Sequence, residues 1–223
     1  MKSVSRIIND VFQFFDPGQG SFDPKKALEG STAPFPNNVS CSQYLKSQNY
    51  DKNKVALIGE KGSKFTFGEL DTLSTKLAAV IKGKLGSNFK NGNPDGDPII
   101  GIMLLPTDKL VILLFAIFKL GAAYVPMDAK FPEARINRIM DVAKPIMVIS
   151  DKEKENMDKL KGYKSQSIIK TMDEIWGERD KIKVGKGDVE PLPGGKDLSK
   201  RIATVLFTSG STGLPKGVRI NHR

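Results

Sequence analysis

Between Ile99 and Ser150 the chain alternates two kinds of apolar pattern, and that alternation leaves few folds open. Ile99 to Leu105, Ala123 to Met127 and Ile146 to Ser150 are short apolar runs that read as strands. The stretches between them carry helical spacing. One helix is capped by Thr107 or Asp108, runs to about Leu120 and is ended by Gly121. Another begins at Pro132, with Ile136, Ile139, Met140 and Ala143 on one stripe. Strand, helix, strand, helix, strand with short joins implies a parallel sheet with right-handed crossovers. The fold class expected is therefore α/β, a mostly parallel sheet flanked by helices. Pro126 lacks a donor, so its strand should lie at an edge or place the proline at its end.

The flanking segments are less regular. Residues 1–40 are broken by Asp16-Pro17-Gly18, Asp23-Pro24 and Pro34-Phe35-Pro36, and read as an irregular lead-in with a short helix at 3–15. A second region, 41–223, holds the patterned part. Val55 to Ile58 and Lys64 to Phe67 should pair as a hairpin. Gly68 to Gly83 should be a helix with Leu70, Leu73, Leu77 and Val80 on one face, capped by Thr66 with Glu69 completing a capping box. Residues 83–97 read as a loop. From 151 to 200 the chain is polar, with a weak strand at 167–169, a turn of helix at 171–176 and a loop at Pro191 to Gly195.

The apolar strand Ile202 to Phe207 then delivers Thr208-Ser209-Gly210-Ser211-Thr212-Gly213-Leu214-Pro215-Lys216-Gly217. Glycines let the backbone approach an anion closely, successive N–H groups form a concavity, and hydroxyls and a lysine add donors. The run is too long and too ordered for a solvated turn, so it reads as a polyphosphate cradle. No glycine in it precedes Lys-Ser or Lys-Thr, as the P-loop NTPase pattern requires, and no dinucleotide-binding Gly-x-Gly-x-x-Gly follows a strand. Val218-Arg219-Ile220-Asn221 alternates like a strand, so the cradle should join two strands instead of opening a helix.

Thr208 to Gly217 resembles the phosphate loop of the adenylate-forming, AMP-binding enzymes. Phe65-Thr66-Phe67-Gly68-Glu69-Leu70 is similar to an early motif of that family. Phe118-Lys119-Leu120-Gly121-Ala122-Ala123-Tyr124-Val125-Pro126-Met127-Asp128 resembles a motif of its amino-acid-activating members, the adenylation domains of nonribosomal peptide synthetases. Asn93 to Asp97, Ala143 to Asp151 and Pro215 to Arg219 are similar to the Ebony-like β-alanyl amine synthases within that group. The resemblance covers roughly residues 40 to 223.

It implies that ATP with Mg2+ activates an amino acid, β-alanine among the candidates, as an aminoacyl-adenylate. The acyl group then passes to a phosphopantetheine thiol on a carrier domain expected in cis beyond residue 223. It implies that Lys216 touches β- or γ-phosphate oxygens as the catalytic cation. Thr208, Ser209, Ser211 and Thr212 would donate to the same oxygens, while Gly210, Gly213 and Gly217 shape the loop. Tyr124 and Asp128 are expected to be structural, a packed aromatic and a turn-forming acid. In the resembled family the adenine, ribose and metal motifs, the amino-acid pocket and a further lysine lie downstream. The chain is accordingly expected to be an incomplete, N-terminal part of such a domain and inactive alone. An acyl-CoA synthetase and a non-catalytic nucleotide-binding module stay open as alternatives.

Composition narrows the remaining classes. With 35 basic and 25 acidic residues the formal charge is +10, but the lysines are interleaved with acids and not with stacking aromatics, against nucleic acid as a partner. The longest apolar run, Leu110 to Phe118, is far short of the ~20 residues a membrane span needs. One cysteine, Cys41, fits a reducing, cytoplasmic setting. His222 is the only imidazole, so neither a multi-histidine metal site nor a Ser-His-Asp triad is readily built. A cap or solvent-facing role is expected of it, at a helix beginning after Asn221.

Overall fold

In the computed structural model, the described residues are 37–43, 50–60, 62–86, 96–151, 154–163, 167–184, 189, 191–192, 197–208 and 216–222. All lie in the unit Pro36–Arg223. The helix expected at 3–15 and the lead-in up to residue 36 lie outside them.

Thr66 shows how local chemistry sets the element boundaries. Its backbone is extended, its Oγ1 accepts from the Glu69 N–H at 3.2 Å, and the Glu69 carboxylate accepts from the Thr66 N–H at 2.8 Å. That reciprocal capping box starts helix α1 (Phe67–Leu85) right after the hairpin of β1 (Val55–Ile58) and β2 (Lys64–Thr66). Glu69 is consequently held below the usual carboxylate range, first by the Thr66 backbone N–H and then by its hydroxyl. Thr66→Ala is expected to cost about 1 kcal/mol, read as a lower midpoint in urea unfolding.

β3 (Ile99–Met103), α2 (Asp108–Lys119), β4 (Ala123–Pro126), α3 (Glu133–Ala143) and β5 (Met147–Ser150) follow in the expected alternation. After them come α4 (Lys154–Lys159), β6 (Ile168–Thr171), α5 (Met172–Glu178), β7 (Ile202–Thr208) and β8 (Lys216–Asn221). Among the described residues the main sheet has six strands in the order β6-β5-β3-β4-β7-β8. All its pairings are parallel except β7 with β8.

One face of the sheet carries Ile99, Met103, Ala123, Val125, Val148 and Val205, packed on Ile136, Ile139, Met140 and Ala143 of α3. Strand alternation turns Tyr124 to the other face, where its ring meets Phe118 of α2 at 6.0 Å. There Lys119 ties α2 to α1: its Nζ donates to the Asp71 carbonyl (2.6 Å) and to Thr75 Oγ1 (2.6 Å), and pairs with the Asp71 carboxylate (2.7 Å). Helices thus cover both faces.

Several expectations hold in outline and differ in detail. Thr107 is the N-cap of α2, yet its side chain makes no capping bond. Asp108 instead accepts from the Lys109 N–H and from Ser63 Oγ, both at 2.8 Å. Pro126 takes the second of its two expected places: it ends its strand, an interior one, and the next donor, the Met127 N–H, resumes the ladder to the Ile102 carbonyl at 2.8 Å. Helix α4 went unpredicted because its six residues carry no apolar stripe; its one local signal is the Glu155–Lys159 pair at 2.8 Å. The weak strand and the helical turn extend to β6 and α5, the latter opened by a second capping box from Thr171 and Glu174. No helix among the described residues is long and apolar enough to cross a membrane.

Candidate functional site

Ligands of open α/β sheets gather at the carboxyl ends of the strands, where neighbouring strands send their connections in opposite directions. Here the chain leaves β4 toward β5 on one side, and leaves β7 toward β8 on the other. The carboxyl ends of β4 and β7 therefore mark the switch point of the sheet's connections. The hairpin of β7 and β8 begins there.

In that hairpin Thr208 and Lys216 are register partners, the last pair before the connection, and both are exposed. Among the described residues Lys216 has no carboxylate partner. Ser209, Gly210, Ser211, Thr212, Gly213, Leu214 and Pro215 lie outside the described residues. Gly217 faces Phe207, and a Cβ there would lie 3.2 Å from Phe207 Cζ and 3.3 Å from Val205 Cγ1. Its lack of a side chain leaves room for the Phe207 ring at the hairpin stem; a positive φ is not required of it.

The residues after β4 continue from the neighbouring strand end. Asp128 forms the expected turn, its Oδ1 accepting from the Lys130 N–H at 2.9 Å and its carbonyl from the Phe131 N–H at 2.9 Å. Arg135, in the first turn of α3, lays its guanidinium 4.0 Å from the Phe131 ring centre and donates from Nη2 to the Phe207 carbonyl at 3.5 Å. The sequence reading missed Arg135, since its contacts join residues far apart in the chain. Within the Phe118-to-Asp128 motif the other named residues serve the fold. Tyr124 is 5% exposed and burial pushes its hydroxyl up, while Gly121 takes φ 60° to end α2.

His222 departs from its expected role. Because β8 runs antiparallel to β7, it returns the chain to the amino end of the sheet, away from Thr208 and Lys216. His222 is 4% exposed there, edge-on to Phe118 at 5.2 Å, and its N–H donates to the Arg201 carbonyl at 3.0 Å. Its Nδ1 accepts from the Cys41 N–H at 3.4 Å, which requires the neutral ring. Burial first, and then the nearby Arg201 charge, push its pKa down to about 4. Cys41 Sγ donates to the His222 carbonyl at 3.4 Å, and burial pushes that thiol up, which suits a packing role over a nucleophilic one. The helix expected after Asn221 would lie beyond His222, outside the described residues. Among the described residues no group of three or more His, Cys, Asp or Glu could hold a metal ion.

Over residues 45–223 the chain matches the family described as AMP-binding enzyme. It is 34% identical over 180 residues to the beta-alanyl-bioamine nonribosomal peptide synthetase ebony of Drosophila melanogaster, covering 76% of this chain and 20% of that protein. It is 29% identical over 199 residues to gramicidin S synthase 1 of Brevibacillus brevis, covering 88% of this chain and 16% of that protein. The chain thus spans a fifth or less of the length of these two relatives. Among solved structures it is similar to the N-terminal subdomain of Klebsiella oxytoca NpsA in complex with 3-hydroxybenzoyl-AMSN, with TM-score 0.61 and 24% identity, covering 82% of this chain and 40% of that one. ATP-bound MatB from Rhodopseudomonas palustris aligns with TM-score 0.64 and 19% identity, covering 83% and 35%. At these identities the structural likeness shows the fold, that of the N-terminal part of adenylate-forming enzymes.

Proposed function

The chain belongs to the AMP-binding enzyme family, and on that premise we propose that it supplies the triphosphate grip of an enzyme that activates an amino acid as its aminoacyl-adenylate. Residues 41–223 form the N-terminal portion of that adenylation domain. The reading rests on one observation: Thr208 and Lys216 are paired at the carboxyl edge of a mostly parallel sheet, at the switch point beside β4.

In the reaction a substrate carboxylate attacks the α-phosphorus of ATP, forming a carboxyl–phosphate bond as pyrophosphate leaves. Anion meets anion in that step, so positive charge must already surround the phosphates. Lys216 supplies a flexible point charge to the β- and γ-oxygens, and Thr208 adds a hydroxyl donor. Both work by holding the leaving group in place, the main lever in phosphoryl-type displacements. Ser209, Gly210, Ser211, Thr212 and Gly213 complete the cradle in this reading. Mg2+ arriving with ATP would add positive charge that neutralises the phosphates.

The relatives support amino acids as the substrate class, and the printed name of the Drosophila relative supports β-alanine in particular. The acyl acceptor in this reading is a phosphopantetheine thiol of a carrier domain, and the setting is cytoplasmic. Calorimetric titration of the 223-residue chain should show Mg-ATP binding. Amino-acid-dependent exchange of labelled pyrophosphate into ATP by the same chain alone should stay at background. Absence of Mg-ATP binding at millimolar nucleotide would remove the phosphate grip, and brisk exchange would show that the chain is a complete catalyst.

A further inference from the structure

We propose that Arg135 is a second cationic contact for the polyphosphate, opposite Lys216, an inference that rests on the phosphate-grip reading above. A guanidinium carries five N–H donors and a charge that persists at any physiological pH. Among the described residues Arg135 uses one of those donors, to the Phe207 carbonyl at the 3.5 Å limit of a hydrogen bond. Its Nε is buried without an acceptor.

Other half-buried cations of this protein are treated differently. Lys84 meets Glu178 at 2.6 Å, Lys119 meets Asp71 at 2.7 Å, Lys159 meets Glu155 at 2.8 Å and Arg179 meets Asp180 at 3.2 Å. Arg135 meets no carboxylate among the described residues. Its ring partner Phe131, 4.0 Å away, holds the plane of the fork but brings no countercharge. A partly desolvated charge without a counter-ion is costly, so its retention points to an anion that arrives from outside.

Its position says which anion. The carbonyl it touches belongs to Phe207, the residue before Thr208. Val205 and Phe207 pack on the α3 side of the sheet, so alternation sends Thr208 and its partner Lys216 to the opposite side. Arg135 and Lys216 therefore reach the carboxyl edge of β7 from the two faces. An extended polyanion lying over that edge would meet a planar two-donor fork on one flank and a point charge on the other. Phosphate oxygens suit the fork geometry.

The shared chemistry is a chain of two or more phosphates, carried by ATP or by free pyrophosphate. Calorimetric titrations of the 223-residue chain with Mg-ATP, Mg-pyrophosphate and AMP separate the sources. R135A should weaken Mg-ATP and Mg-pyrophosphate alike by roughly tenfold and leave AMP unchanged. R135K, which keeps the charge but loses the fork and its stacking on Phe131, should fall between the parent and R135A. Thermal unfolding checks each variant, and Arg135→Gln replaces R135A with the same expectation if the alanine form does not fold. Unaltered Mg-ATP binding in R135A, alongside impaired K216A, would overturn the role of Arg135 and spare the phosphate grip. R135K as impaired as R135A would also overturn it, since a mere brace for Phe207 needs shape, not charge. A parent chain that binds neither ligand would remove the grip itself.

Discussion

Lys216→Ala is expected to weaken Mg-ATP binding by about tenfold to a hundredfold, with little change in the stability of the chain. A hydrogen bond to a charged group contributes roughly 1.5–3 kcal/mol, and each 1.4 kcal/mol is a factor of ten in affinity. Lys216 is exposed and, among the described residues, has no carboxylate partner, so its removal should leave the fold intact. The loss should therefore appear in a nucleotide titration and not in a urea midpoint. Thr208→Val, which removes a single hydroxyl, should weaken binding less. Undiminished affinity in K216A would end the phosphate-grip reading. A parallel fall in stability would show that the lysine supports the hairpin instead.

The second large effect is on acid tolerance. An unfolded histidine binds its proton near pH 6.5, whereas folded His222 does so only near pH 4. Between these values the unfolded chain holds the additional proton, so stability is fully present above pH 6.5 and falls as the pH drops toward 4. The loss from this one group is on the order of 3 kcal/mol at the low end. The depressed carboxylates Glu69, Glu174 and Asp197 lose their contributions at lower pH, as it falls below the ordinary carboxylate range. Urea unfolding of the parent and of His222→Gln at pH 7, 5.5 and 4.5 separates the two windows. The glutamine variant should lack the steep fall between pH 6.5 and 4.5. An equal fall in both proteins would place the titrating group elsewhere.

How far the sequence could be read depended on how local the physics was. Strands β3, β4, β5 and β7 announced themselves because each is a short apolar run, and α3 because Ile136, Ile139, Met140 and Ala143 recur at helical spacing. The capping box at Thr66 was equally plain, since both partners lie within four residues. Long-range pairings carried no such signal. Nothing near His222 in the chain says that it will lie against Cys41 and Phe118, or that its ring will be buried. Asp97 accepting from the Ile202 N–H at 3.1 Å was invisible for the same reason. In the site, the hydroxyl-and-glycine run was legible, whereas Arg135 became a candidate only once α3 and β7 were seen side by side.

The strand order has a consequence for how the protein is made. β7 lies against β4, yet α3, β5, α4, β6 and α5 are translated between them. A nascent chain emerging from the ribosome must therefore carry β4 with one bare margin until Ile202–Thr208 arrives. The contact between Cys41 and His222 spans 181 positions, so it can close only after residue 222 has emerged from the ribosome. Such late, distant pairing slows folding and leaves the margin of β4 open to wrong partners until β7 docks on it.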